Sequence, residues 1–108
     1  MGTTQQAYQR IQVPFLEEFR ERMLDGRKTA TTRTKRFGKV GDVFDAFGEL
    51  FWISDVQAVK LFDVADLEFS AEGFEDPDAF LEVWDRLHPR VKHNLDRVVY
   101  LHRFEVLE

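Results

Sequence analysis

Lys28, Thr31 and Arg33 stand close together in the run Gly26-Arg27-Lys28-Thr29-Ala30-Thr31-Thr32-Arg33, which puts an amine, a hydroxyl and a guanidinium into one short segment. Their chemistry suits a base or anion contact at Lys28, a nucleophile or hydrogen bond at Thr31, and a fork for phosphate or carboxylate at Arg33. A lysine at its ordinary pKa of about 10.4 is a poor base at neutral pH. Reaching roughly 7 to 8 takes a loss of about three units, on the order of 4 kcal/mol, through burial or nearby positive charge. Arg27 and Arg33 are the neighbours able to supply that charge. The same residues also suit a solvated edge strand whose cations guard against aggregation. In a regular strand, residues three apart point to opposite faces. Lys28 and Thr31 therefore converge only if Lys28 lies in the turn after Gly26, while Thr29, Thr31 and Arg33 share a face.

Glu72, in Ala71-Glu72-Gly73-Phe74, is a second candidate: beside a glycine, its carboxylate either points into a cleft or ends a helix at the surface. Asp42, after Lys39-Val40-Gly41, suits a turn cap. Trp52, Trp84 and Phe74 have rings able to stack a base, but Trp84 sits on the apolar stripe of its helix and reads as core. His88, before Pro89, suits a helix-end cap. His102 alternates with Tyr100 and Phe104 on one strand face and reads as a satisfied inward histidine or a pocket residue.

Composition narrows the chemistry. The 108 residues suit one domain with a single core, and the absence of cysteine excludes disulfides, thiolate nucleophiles and cysteine-ligated zinc. His88, His93 and His102 show no close ligand spacing, so no metal or other cofactor is expected. No apolar run is long enough to span a bilayer and the first residues lack a signal-peptide core, so the expected place is the cytoplasm, with no membrane and no obligate protein partner. The net charge of −5 disfavours a general polyanion binder, yet Arg27, Lys28, Arg33, Lys35, Arg36 and Lys39 fall in a stretch with no acidic residue. One cationic patch on an anionic body suits a nucleoside or short single-stranded RNA better than extended duplex.

The elements that must position these groups follow from pattern. Met1–Arg10 reads as a loose tail. A helix opens at Pro14, buries Phe15, Phe19 and Met23, and ends at Gly26. Strands are expected over Thr29–Arg33, Val43–Phe47 and Leu50–Phe62, the third bent near Ser54-Asp55. Ala65–Glu72 holds a helical turn or two. Asp76-Pro77 starts a helix with Phe80, Trp84 and Leu87 on its buried stripe, and Val98–Leu107 is a last strand. Many short strands in so small a chain predict an α+β fold: a compact β-barrel flanked by short helices.

Taken in order, the Gly-Arg-Lys-Thr run, Lys39-Val40-Gly41-Asp42, Glu72-Gly73-Phe74, Leu87-His88-Pro89 and Val99-Tyr100-Leu101-His102-Arg103-Phe104 resemble an ASCH domain of the PUA-like superfamily. The resemblance covers residues 11–108 and implies a PUA-like barrel whose cleft is bordered by the Gly-Arg-Lys-Thr segment and the Glu72 loop. It implies action on, or binding of, RNA or nucleosides. Some bacterial members are N(4)-acetylcytidine amidohydrolases, and by that resemblance Lys28 is the base, Thr31 the nucleophile and Glu72 the acid or positioning group. Arg27, Arg33, Lys35, Arg36, Trp52, Phe74, Tyr100 and His102 are then the candidate substrate contacts. Other members are reported to cleave RNA and many have no known activity, so a ribonuclease and a non-catalytic RNA-binding module stay open beside the amidohydrolase.

Overall fold

A computed structural model describes residues 9–89 and 94–107; His93 lies outside the described residues, as does the expected tail up to residue 8. The strands are β1 (Arg10–Ile11), β2 (Ala30–Arg33), β3 (Val43–Ala46), β4 (Glu49–Lys60) and β5 (Val98–Val106); the helices are α1 (Arg20–Leu24), α2 (Leu61–Leu67) and α3 (Pro77–Leu87). The strands form one mixed sheet in the order β1-β3-β4-β5-β2, with β1 parallel to β3 and the other pairs antiparallel. The fold is α+β. The expected closed barrel is not formed: among the described residues β1 and β2 lie at opposite edges of an open sheet.

Local chemistry explains the elements and the departures from pattern. Phe47 and Gly48 both take positive φ in the two-residue β3–β4 turn, a conformation whose twist matches the flanking strands. The register of β4 against β5 slips between Ile53 and Asp55, a bulge at the expected bend. Asp76 caps α3 by accepting from the Ala79 N–H at 2.8 Å, with Pro77 just inside. The helix expected from Pro14 begins later, as a 3-10 turn at Glu17–Phe19 running into α1. Before it the chain stays extended, and the Phe15 ring packs on Phe44 and Phe104, with centroids 5.7 and 6.0 Å away. Leu61 and Phe62, read as strand, instead open α2, because Leu61, Val64 and Ala65 recur at helical spacing and are buried. The short β1 lies where a tail was expected: the Gln9 carbonyl accepts from Val43 and its N–H donates to Asp42.

Two apolar clusters cover the sheet, one built on Phe19, Met23, Phe44, Phe51 and Phe104, the other on Leu61, Val64, Phe80, Trp84 and Val99. Phe74 packs against both. It therefore ties the Glu72 loop to the junction of the two.

Asp42 organises the β2–β3 connection. Its side chain is 2 % exposed and accepts from the N–H groups of Gln9 and Lys39 and from the Lys39 ammonium, all within 3.1 Å. Gly38, at φ +79°, leaves the room: a Cβ there would meet Ile11 at 2.5 Å and Asp42 at 2.8 Å. Burial pulls the Asp42 carboxyl upward, but the hydrogen bonds from Gln9 and Lys39 outweigh it and hold the group below the usual aspartate value. A carboxyl depressed on folding contributes stability above its unfolded pKa of about 4, and that contribution is lost as pH falls through the folded value. Asp42→Ala is expected to cost about 2 kcal/mol at pH 7 in urea denaturation and to flatten the loss of stability below about pH 4.

Candidate functional site

The segment after Gly26 does not enter β2 at once. The Lys28 N–H donates to the Arg22 carbonyl at 2.8 Å, which holds Lys28 in the connection and sends its side chain back under the strand. Its Nζ donates to the Ala30 carbonyl at 2.9 Å, to Glu72 Oε1 at 3.0 Å and to the Glu72 carbonyl at 3.1 Å. Three acceptors match the three N–H groups of an ammonium. Both side chains are buried, at 2 % and 3 % exposure, and the Phe19 ring centroid lies 4.8 Å from Nζ. Burial drives the Lys28 pKa below its ordinary value; Glu72 opposes this, and Arg33 and Arg22 add to it.

The Glu72 loop is docked by backbone. Ala71 O accepts from the N–H groups of Thr29 and Ala30 at 2.7 and 3.1 Å, fixing the loop along β2. Gly73 sits at φ +95°, where a Cβ would come within 3.1 Å of Lys28 Cβ and 3.2 Å of Arg22 Cδ. A glycine is what lets the loop approach this closely. Thr32 donates its hydroxyl to Glu72 Oε2 at 2.5 Å, completing a Lys28–Glu72–Thr32 chain. Thr31 points elsewhere: its hydroxyl accepts from Arg33 Nε at 3.2 Å.

This cluster floors a cavity of about 400 Å³ that Thr31, Thr32, Arg33 and Lys35 also line. Arg33 is held there by Nη2 donating to Pro14 O at 2.7 Å and by the rings of Phe15 and Phe37, 4.9 and 5.2 Å from its Cζ. No family model matches the chain, and no curated protein does. Among solved structures it is similar to an ASCH domain from Lactobacillus crispatus (15 % identity, TM-score 0.64, covering 92 % of this chain and 79 % of that one). The chain has the ASCH-domain fold. It is also similar to an Enterococcus faecalis protein of family DUF984 (16 %, 0.67, 97 % and 82 %) and to a Pyrococcus furiosus protein (20 %, 0.60, 94 % and 97 %).

On the ASCH fold the candidate residues separate. Lys28, Thr31, Glu72, Arg33, Lys35 and Phe74 line the cavity. Arg27, Arg36, Trp52, Tyr100 and His102 do not. Arg27 pairs with Asp25 at 2.8 Å and Glu21 at 3.9 Å, and Trp52 alternates with the core-facing Phe51 and Ile53. His102 stands behind the wall as a clamp. Its Nε2 accepts from the Phe37 N–H at 2.9 Å, so the ring proton belongs on Nδ1, facing Thr31 O at 3.4 Å. Burial, with Arg33 and Arg36 nearby, holds its pKa below the ordinary histidine value and keeps this tautomer neutral. Thr32 joins the site although nothing in the pattern singled it out, and so do Phe15 and Phe19, which the pattern marks only as a buried helix stripe. A strand's period of two places Thr32 on the face away from Thr31, and only the docked loop gives that face a partner.

Among the described residues no cluster of acids and histidines could hold a metal ion, and no helix is long and apolar enough to cross a membrane. A buried pair stripped of one partner leaves an unpaired charge, a loss of about 3 to 5 kcal/mol. Glu72→Ala is expected to lower stability by about 3 kcal/mol in urea denaturation, and the double variant Lys28→Met with Glu72→Leu by clearly less than the sum of its single changes.

Proposed function

We propose that this cavity hydrolyses an N-acylated nucleoside, with N(4)-acetylcytidine as the reference substrate. The observation that carries the reading is the buried Lys28–Glu72 contact at 3.0 Å on a cavity floor beside two threonine hydroxyls. All three protons of the Lys28 ammonium are met by acceptors, so acting as base requires the neutral amine, which burial favours.

The step that follows is acyl transfer. Neutral Lys28, which lines the same cavity as Thr31 without hydrogen-bonding it in the resting protein, takes the Thr31 hydroxyl proton when substrate brings the two together, and the oxygen bonds to the acyl carbon. The Arg33 Nε–H, already aimed at Thr31 Oγ1, favours the developing alkoxide. The C–N bond then breaks while Lys28 returns the proton to the leaving nitrogen, with Glu72 holding the ammonium in line. Water cleaves the acyl-threonine and gives the acid, so amide plus water becomes acid plus amine. Thr32 holds Glu72 through its own hydroxyl.

RNA binding is the second reading. It is favoured by Lys35, which lines the cavity, and by Arg36 next to it in sequence, exposed residues that make no ion pair among the described residues, with the Phe37 ring beside Lys35. Localisation in the cytoplasm accords with either.

Hydrolysis of N(4)-acetylcytidine by the purified chain tests the first reading. Lys28→Ala and Thr31→Val are each expected to lower kcat/KM by at least about a thousandfold, and Thr32→Val by about tenfold. Loss in Thr32→Val with Thr31→Val active would move the nucleophile to Thr32. No turnover in the parent, with RNA binding that weakens steeply as salt rises, would favour the second reading.

A further inference from the structure

The cavity has two unlike ends. From the ammonium, rings follow one another along its wall: Phe19 lies 6.1 Å from Phe74, Phe74 5.8 Å from Phe80, Phe80 6.1 Å from Trp84, and Trp84 4.0 Å from His88. All five line the cavity. The last pair is stacked, with 26° between the planes, and His88 Nδ1 lies 2.8 Å from the Trp84 carbonyl, which fixes the imidazole as part of the wall. Leu16, Val83 and Leu87 also line the cavity. Glu18 and Arg86, joined at 2.8 and 3.0 Å, tie the segment before α1 to α3. The polar groups are thus gathered on the Lys28 floor, while α3 presents rings and aliphatic carbon.

An acetamide seated on the floor would leave the partly exposed Val83, Leu87 and His88 in contact with water, over the buried rings of Phe80 and Trp84. Aromatic pairs favour offset or edge-on contacts at centroid separations of about 4.5 to 7 Å, so a flat acyl ring meeting the edges of this wall gains contacts that a methyl group does not. Resting on the amide hydrolysis proposed above, we propose that the wall of Phe80, Trp84 and His88 is the subsite for the acyl substituent, and that the chain prefers N-aroyl nucleosides to N-acetyl ones. The reaction is unchanged: the same C–N bond breaks, water supplies the oxygen, and an aromatic acid leaves in place of acetate.

The test has a kinetic and a binding arm. N(4)-benzoylcytidine is expected to exceed N(4)-acetylcytidine in kcat/KM by on the order of tenfold, from the apolar surface it buries. Leu87, 44 % exposed at the cavity mouth, tolerates change; Leu87→Trp fills the subsite and is expected to bring that ratio close to one. In the binding arm, benzamide but not acetamide should shift the Trp84 indole N–H resonance, assigned with a Trp52→Phe variant. If neither amide is hydrolysed and benzamide still shifts Trp84, the subsite stands and the proposed reaction fails. Acetyl turnover equal to benzoyl turnover with Trp84 unmoved by benzamide would overturn the subsite, as would a Trp84 shift with adenosine but not benzamide, which would make the wall a stacking site for a base.

Discussion

A buried ammonium must be solvated by protein, and that requirement governs the construction around Lys28. Taking it from water is expensive unless its protons are met. The chain meets them with one carbonyl from the strand edge, one carbonyl from the Glu72 loop and one carboxylate oxygen. Two segments distant in sequence are fixed against each other by one nitrogen. The Ala71 carbonyl shared between Thr29 and Ala30, and the glycine at 73, are the backbone conditions that let the loop come so near.

The aromatic residues make those polar contacts count. Phe19 faces the ammonium, Phe74 joins the two apolar clusters, and Arg33 lies between Phe15 and Phe37. A low-dielectric surround strengthens each charge–dipole contact and also weighs against the charged form of Lys28. The lysine is therefore firmly held and less basic than in water, the combination that acyl transfer asks of a base. His102 supports the opposite wall by fixing Phe37, the duty of a satisfied inward histidine, which is one of the two readings its strand position allows.

The sequence made the cationic segment conspicuous because its charges contrast with the acidic remainder, and Gly26 correctly placed Lys28 outside the strand. The α3 cap was legible because Asp76-Pro77 acts locally. Long-range contacts were hidden. Whether Glu72 turned inward depended on docking against residues some forty positions away, and the partner of Thr32 is visible only when that loop is in place. Alternation within β2 identified Thr31 with Arg33 and, for the same reason, passed over Thr32. The open sheet is not legible because strand count constrains closure weakly: β1 is two residues long and, among the described residues, pairs only with β3. Trp84 was read as core from its helical stripe, and it is both core and cavity wall.

The central claim is that Lys28 is dry, paired and less basic than an ordinary lysine. The most direct measurement is the pH titration of the Lys28 side-chain carbon next to Nζ, followed by carbon NMR in protein labelled at lysine and assigned with Lys28→Met. The account predicts one lysine resonance that titrates below the others, and in Glu72→Ala either a titration moved lower still, because the carboxylate that favours the ammonium is gone, or a protein unfolded by the change. A Lys28 resonance that titrates with the exposed lysines, near 10.4, would contradict it.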